Sequence, residues 1–192
     1  MVRIAPSILS GNFLNLEPDI RMVNKNADLI HIDVMDGSFV PNISFGFPVV
    51  EAIAKAVTVP MDVHLMIVNP DKYVERFAKT GAEMISFHLE AADQAGKDPR
   101  DIIAQIKSFG VKAGLVINPD IPVERLFPYI DDVDFFLIMS VFAGFGGQKF
   151  IPESIDRIKT LKAEMDRRGV VKDIEVDGVL EPRGHREKRR RR

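Results

Sequence analysis

Residues 28–37 read "DLIHIDVMDG", an apolar run interrupted by polar side chains and closed by a glycine. Side chains alternate across a β-strand, so His31, Asp33 and Met35 fall on one face and Ile30, Ile32 and Val34 on the other. The pattern recurs at 60–68, "PMDVHLMIV", where Asp62, His64 and Met66 share a face. Near-continuous apolar runs of this length are expected of parallel strands buried on both sides.

Working outward, apolar runs alternate with longer amphipathic ones. Predicted strands start near residues 3, 28, 60, 83, 112, 135 and 173, seven in all. Between them, helical spacing predicts helices over 16–26, 47–57, 70–82, 98–110, 122–130 and 152–169. The 98–110 segment carries Asp98 as N-cap, Pro99 at the first helical position and Gly110 at the end. The stripe of the last predicted helix is Ile155, Ile158, Leu161, Lys162 and Met165. A strand every 25–35 residues, roughly, is the scale of a βαβ crossover. Two architectures fit: an open doubly wound sheet or a closed (β/α)8 TIM barrel. No G-x-G-x-x-G follows the first strand, which disfavours the dinucleotide-binding sheet. A barrel needs eight strands, whereas this chain supplies seven and then changes character.

The bulk numbers suit one domain: 192 residues, 46% hydrophobic and 28% charged. There are no cysteines, so a metal site must draw on His, Asp and Glu, which favours Zn, Fe or Mn. No apolar run reaches the length of a membrane span and no basic-then-apolar leader opens the chain, so a soluble cytoplasmic protein is expected. The net charge of −2 is uneven. Residues 183–192 carry seven Lys/Arg against one acid, which leaves the rest of the chain at −8.

The polar residues in the strands carry the chemical signal. His31, Asp33, His64 and Asp177 come from three strands at equivalent depths, and all lie toward strand C-terminal ends, where α/β folds build their sites. Ser7 lies near the end of the first predicted strand, and Glu175 shares a face with Asp177. Taken singly, each has an ordinary role: a hydrogen-bonded core histidine, a helix cap, a methionine filling space. Together they are hard to bury unpaired, and one shared cation would satisfy all four ligands. A second signal is "AGFGGQKF", 143–150, whose glycines expose backbone N–H groups suited to an anion such as phosphate.

With these motifs in view, the chain resembles the ribulose-phosphate 3-epimerase family. The resemblance rests on "IAPSILS" (4–10), "HIDVMDGSFVPN" (31–42), "DVHLMI" (62–67), "GLVINP" (114–119), "MSV" with "GFGGQKF" (139–150) and "IEVDG" (174–178). It implies a TIM (β/α)8 barrel that epimerises a phosphorylated ketose, D-ribulose 5-phosphate to D-xylulose 5-phosphate, in the pentose phosphate pathway. It implies one divalent ion on His31, Asp33, His64 and Asp177, zinc first, with Fe, Mn or Co as alternatives. Asp33 and Asp177 match the two acid/base residues. Ser7, His64, Met35, Met66, Met139 and Gly178 match substrate contacts, and Gly144, Phe145, Gly146 and Gly147 match one arm of the phosphate site. The family also implies a homo-oligomer.

Departures from the family pattern set further expectations. Only Gly178 stands where the family has a double glycine, and Phe142-Ala143 replaces a polar residue and a proline. No eighth strand or second phosphate-binding loop follows. The expectation is an incomplete barrel over 1–178 and a disordered, non-native tail over 179–192, from a frameshift or premature stop. The weighed alternatives are a 3-epimerase for another ketose phosphate such as allulose 6-phosphate, an inactive truncated barrel, and a nucleic-acid binder acting through the basic tail. The last is disfavoured by the lack of interleaved aromatics, so neither nucleic acid nor membrane is an expected partner.

Overall fold

The computed structural model describes residues 2–178. The basic tail, and with it every expectation for 179–192, lies outside the described residues. Six parallel strands form one sheet in sequential order: β1 (Ile30–Met35), β2 (Met61–Met66), β3 (Met84–His88), β4 (Lys112–Ile117), β5 (Phe135–Met139) and β6 (Asp173–Asp177). The α-helices are α1 (Glu17–Asn26), α2 (Phe47–Ala54), α3 (Val74–Lys79), α4 (Leu89–Gln94), α5 (Pro99–Ser108) and α6 (Ser154–Arg168).

The two-residue period of the strands sorts their side chains into two cores. Ile30, Ile32, Val34, Val63, Leu65, Ile85, Phe87, Leu115, Phe136 and Ile138 join the large apolar cluster with the helices, which supply Ile20, Val50, Phe77, Ile102 and Leu161. Each such side chain contributes about 1.5–3 kcal/mol on full burial. The opposite faces make the inside of the curl, and they are layered. At one end Leu29, Met84 and Phe135 pack together. At the other, Met35 and Met66 pack with Val40. Between them lie the charged residues of β1, β2 and β6. Layered filling of the interior is how a barrel of this kind is closed inside.

The sheet curls strongly. β1 and β6 stand at opposite ends of the strand order, yet His31 Nδ1 on β1 lies 3.6 Å from Glu175 Oε1 on β6. Arg3 also pairs with Asp173 at 2.5 Å, tying the N-terminal segment to the start of β6.

Several expectations are corrected in detail. The predicted first strand, 3–9, is an extended segment held to β1 by one parallel bridge, Ser7 to His31, and it turns into a 3-10 helix at Ile8–Ser10. Pro6 has no N–H to give, so its carbonyl accepts from His31 N (2.9 Å) while Ile4 N turns to the Asp28 side chain (2.8 Å). Six strands and a bridge therefore stand where seven strands were expected. The 70–82 helix divides into a 3-10 turn (Pro70–Lys72) and α3, after Asn69 in the left-handed conformation. The 122–130 helix is 3-10 (Val123–Tyr129), and Pro128 inside it has no N–H to give to the ladder. The strand predicted over 83–90 stops at His88, and Leu89 and Glu90 begin α4. In α6, Leu161 and Met165 are buried, but Ile155 is exposed.

Asp98 caps α5 as expected, accepting from Arg100 N at 2.9 Å. Gly169 ends α6 in the left-handed region that glycine tolerates best.

Candidate metal centre and substrate pocket

Parallel register fixes the depth of each polar side chain. His31 stands beside Asp62 and Asp33 beside His64 across β1 and β2. Met139 stands beside Asp177 across β5 and β6. Because all of these face the inside of the curl, residues from both ends of the sheet converge. Single ligand atoms of His31, Asp33, His64 and Asp177 lie within 4.8 Å of one another. The four expected from sequence are therefore brought together, His31, Asp33 and His64 buried and Asp177 partly open.

The hydrogen bonds orient this group. Asp33 Oδ2 accepts from Ser7 Oγ at 2.5 Å. Asp33 Oδ1 faces both imidazoles, His64 Nδ1 at 3.2 Å and His31 Nε2 at 3.4 Å. His64 Nδ1 lies 3.9 Å from Asp177 Oδ2. The other nitrogen of His31, Nδ1, is 2.6 Å from Asp62 Oδ2. That contact leaves His31 Nε2 buried without a hydrogen-bond partner among the described residues. An imidazole nitrogen aimed at carboxylates with no hydrogen-bond partner of its own, backed by a carboxylate on its far nitrogen, is the usual arrangement of a metal-ligating histidine.

Electrostatics points the same way. Burial pulls His31 down, yet Asp33 and Asp62 outweigh it and hold its imidazole well above the ordinary value. Burial would raise Asp33, but His31 and His64 overcome this and keep its carboxyl well below the carboxylate range. Asp177 is pushed up, by burial first and by the charge of Asp33 next, against the pull of the histidines. Burial raises Asp62 to about 6, partly offset by His31. A cluster of buried acids around two imidazoles calls for positive charge, supplied by protons or by a cation. Two nitrogens and two carboxylates suit a borderline divalent ion. The residues present fit one.

Above the cluster a pocket opens at the C-terminal ends of the strands. Ser7, Asp33, Met35, Met66, Met139, Asp177 and Gly178 line its floor and sides, and the 142–148 loop forms one wall. Every substrate-contact residue expected from sequence lines this pocket except His64, which stands beside Asp33 but is fully buried.

The glycine loop is pinned at both ends. Asn118 Oδ1 accepts from Ala143 N (3.0 Å), Asn42 Nδ2 donates to Gly144 O (2.9 Å), and Gln148 Nε2 donates to Phe142 O and Phe145 O. Gly144 adopts φ +122, a conformation that L side chains rarely take. Among the described residues, Gly146 N and Gly147 N have no hydrogen-bond acceptor.

The model of the ribulose-phosphate 3-epimerase family matches residues 3–187. The chain belongs to this family of isomerases. The ribulose-phosphate 3-epimerase of Synechocystis is 49% identical, covering 93% of this chain and 77% of its own length. That of Bacillus subtilis is 49% identical over 93% of this chain and 81% of its own. The cytoplasmic isoform of Oryza sativa is 41% identical, at 94% and 78%. Among solved structures, a mutant tryptophan synthase alpha-subunit from Pyrococcus furiosus superposes with a TM-score of 0.65 at 15% identity, over 95% of this chain and 80% of that one. That likeness supports the TIM-barrel-like fold alone. No described helix is long and apolar enough to cross a membrane.

Within this epimerase-family site, two neighbours escape a reading from sequence. His88 is fully buried with its Nε2 2.9 Å from His64 Nε2. Glu90 stands behind it at 3.7 Å from His88 Nδ1. The signal was the alternation Met84, Ser86, His88, which puts His88 on the inner face at a strand end.

Proposed function

We propose that this chain interconverts D-ribulose 5-phosphate and D-xylulose 5-phosphate, inverting C3 with Asp33 and Asp177 as the two acid/base groups. The observation that carries the proposal is the meeting of these carboxylates with His31 and His64 at the base of a pocket walled by a glycine-rich loop. Family membership supports it.

The two sugars differ only at C3, and the C3 hydrogen is acidified by the neighbouring C2 ketone. Inversion needs a proton removed on one face and another delivered on the opposite face. Asp33 and Asp177 come from strands at opposite ends of the sheet order, so they approach the pocket from different sides. Their environments separate their roles. Asp33, held ionised by the histidines, is suited to accept a proton, and Asp177, pushed up, to hold one. In the return direction the roles exchange. Ser7 fixes the Asp33 carboxylate through its Oδ2. Met35, Met66 and Met139 exclude water around the reacting carbon with soft, adaptable contacts. The free N–H groups of Gly146 and Gly147 suit the phosphate end of the substrate.

His31, Asp33, His64 and Asp177 would hold the divalent ion, with zinc the first candidate. When bound, such an ion supplies Lewis-acid stabilisation of the negative charge that develops on the ketose oxygens. The working form we envisage is a cytoplasmic homo-oligomer.

The test is a coupled assay of D-ribulose 5-phosphate epimerisation on the full chain, supplied with zinc. Turnover that Asp33→Asn and Asp177→Asn each lower by about 10²–10⁴ is the expected result. A folded, metal-loaded chain with no turnover would overturn the proposal.

A further inference from the structure

We propose that His88 and Glu90 are positioning residues that fix the tautomer of His64, keeping its Nε2 protonated and turning the bare Nδ1 toward Asp33 and Asp177. The proposal rests on the metal reading above.

The geometry assigns the protons step by step. His64 Nε2 and His88 Nε2 are 2.9 Å apart, with the ring planes 22° apart and the centroids 5.1 Å apart. Two ring nitrogens at that separation share one proton, so one donates and the other accepts. Which one is decided at the far side of His88. Its Nδ1 faces Glu90 Oε1 at 3.7 Å, an ion-pair distance, and has no hydrogen-bond partner among the described residues. An ionised carboxylate only accepts, and at 3.7 Å its charge favours hydrogen on Nδ1 of His88 without a hydrogen bond being formed. In the neutral ring, Nε2 of His88 is then bare and accepts from His64 Nε2–H. His64 Nδ1 is left with a lone pair, pointing at Asp33 Oδ1 (3.2 Å) and Asp177 Oδ2 (3.9 Å). Three electron-rich atoms facing one another are repulsive unless a proton or a cation sits among them, and the proposed divalent ion would fill that place.

The supports of the relay are themselves fixed. Glu90 Oε1 accepts from Asn118 N at 2.9 Å, and the Phe39 ring packs on His88 at 4.8 Å. Asn118 also anchors Ala143 at the start of the glycine loop. His31 achieves the same end differently, through Asp62 at its Nδ1. The two imidazole ligands are thus oriented by separate partners.

The test measures zinc affinity of the full chain by competition with a chromogenic chelator. His88→Leu is expected to weaken zinc binding about 10–100-fold. His88→Gln, whose amide oxygen can accept from His64 Nε2–H, is expected to stay within a few-fold of wild type. Nitrogen-15 NMR of the zinc-loaded wild type is expected to show His64 protonated at Nε2. Unchanged affinity in a folded His88→Leu, or a proton on His64 Nδ1, would overturn the assignment. Should His88→Leu fail to fold, Glu90→Leu, which leaves His88 Nδ1 no acceptor, decides: about tenfold weaker binding supports the relay, and unchanged binding overturns it. A wild-type chain that takes up no zinc sinks the metal reading and this proposal together. Tight wild-type binding, lost in His31→Ala but indifferent to His88→Leu and Glu90→Leu, overturns the relay alone.

Discussion

Asp33 and Asp177 are chemically identical side chains in unlike settings. Asp33 is gripped by Ser7 and two imidazoles. Asp177 approaches one histidine only distantly and is partly open to the pocket. Replacing either with Asn is expected to lower kcat by about 10²–10⁴, the range of a general acid or base. A finer measurement separates the two. In deuterated solvent, each variant should still exchange the C3 proton of one epimer but not of the other, and the spared epimer should switch between variants. Exchange of both epimers in either variant would argue for a single acid/base group. These two residues, with His31 and His64, were legible in the sequence because charged side chains at period two in an otherwise apolar strand have few peaceful uses. His88 was not, because "SFHLE" reads as a continuing strand, and only the turn into α4 places His88 at a strand end with Glu90 behind it.

At the scale of elements, Gly114 in β4 shows a fact that no local pattern contains. A Cβ there would lie 2.3–2.7 Å from the Phe135 ring on β5. The glycine exists so that Phe135 can lie across the interior and join Leu29 and Met84 in the layer beneath the charged cluster. Gly114→Ala is expected to destabilise the fold by about 1–3 kcal/mol, the cost of overpacking, read as a lower urea midpoint at unchanged slope. A neutral result would mean that Phe135 moves aside freely. From sequence, this glycine is only a weak point in a strand. Most elements were legible, since apolar period and caps such as Asp98 and Gly169 are local. The failures lie where a backbone N–H is missing: Pro6 has none to give to β1, and Pro128 none inside the 3-10 segment Val123–Tyr129.

For the whole molecule, the interior places buried acids and imidazoles where a core would otherwise be apolar. A cation that binds only the folded chain adds stability by mass action, about 2.7 kcal/mol at one hundred times its Kd. For a domain of this size each kcal/mol moves Tm by about 2–4 °C. Zinc at that excess is expected to raise Tm by about 5–11 °C in a thermal melt, and His31→Ala should erase most of the rise. Acid should erase it too, because protons compete for the same nitrogens and carboxylates. A melt indifferent to zinc would count against the cluster as a metal centre. The fold class could be read from the spacing of strands, but the strength of the curl could not, since it emerges only when six strands pair in order. That curl has one more result. Asp33 and Asp177 ride on the first and last strands of the sheet, so the gap between them accumulates every small change in twist along the four strands between. On the proposed reading of these two residues as the reacting groups, their spacing would then depend on the shape of the whole sheet as well as on their immediate neighbours.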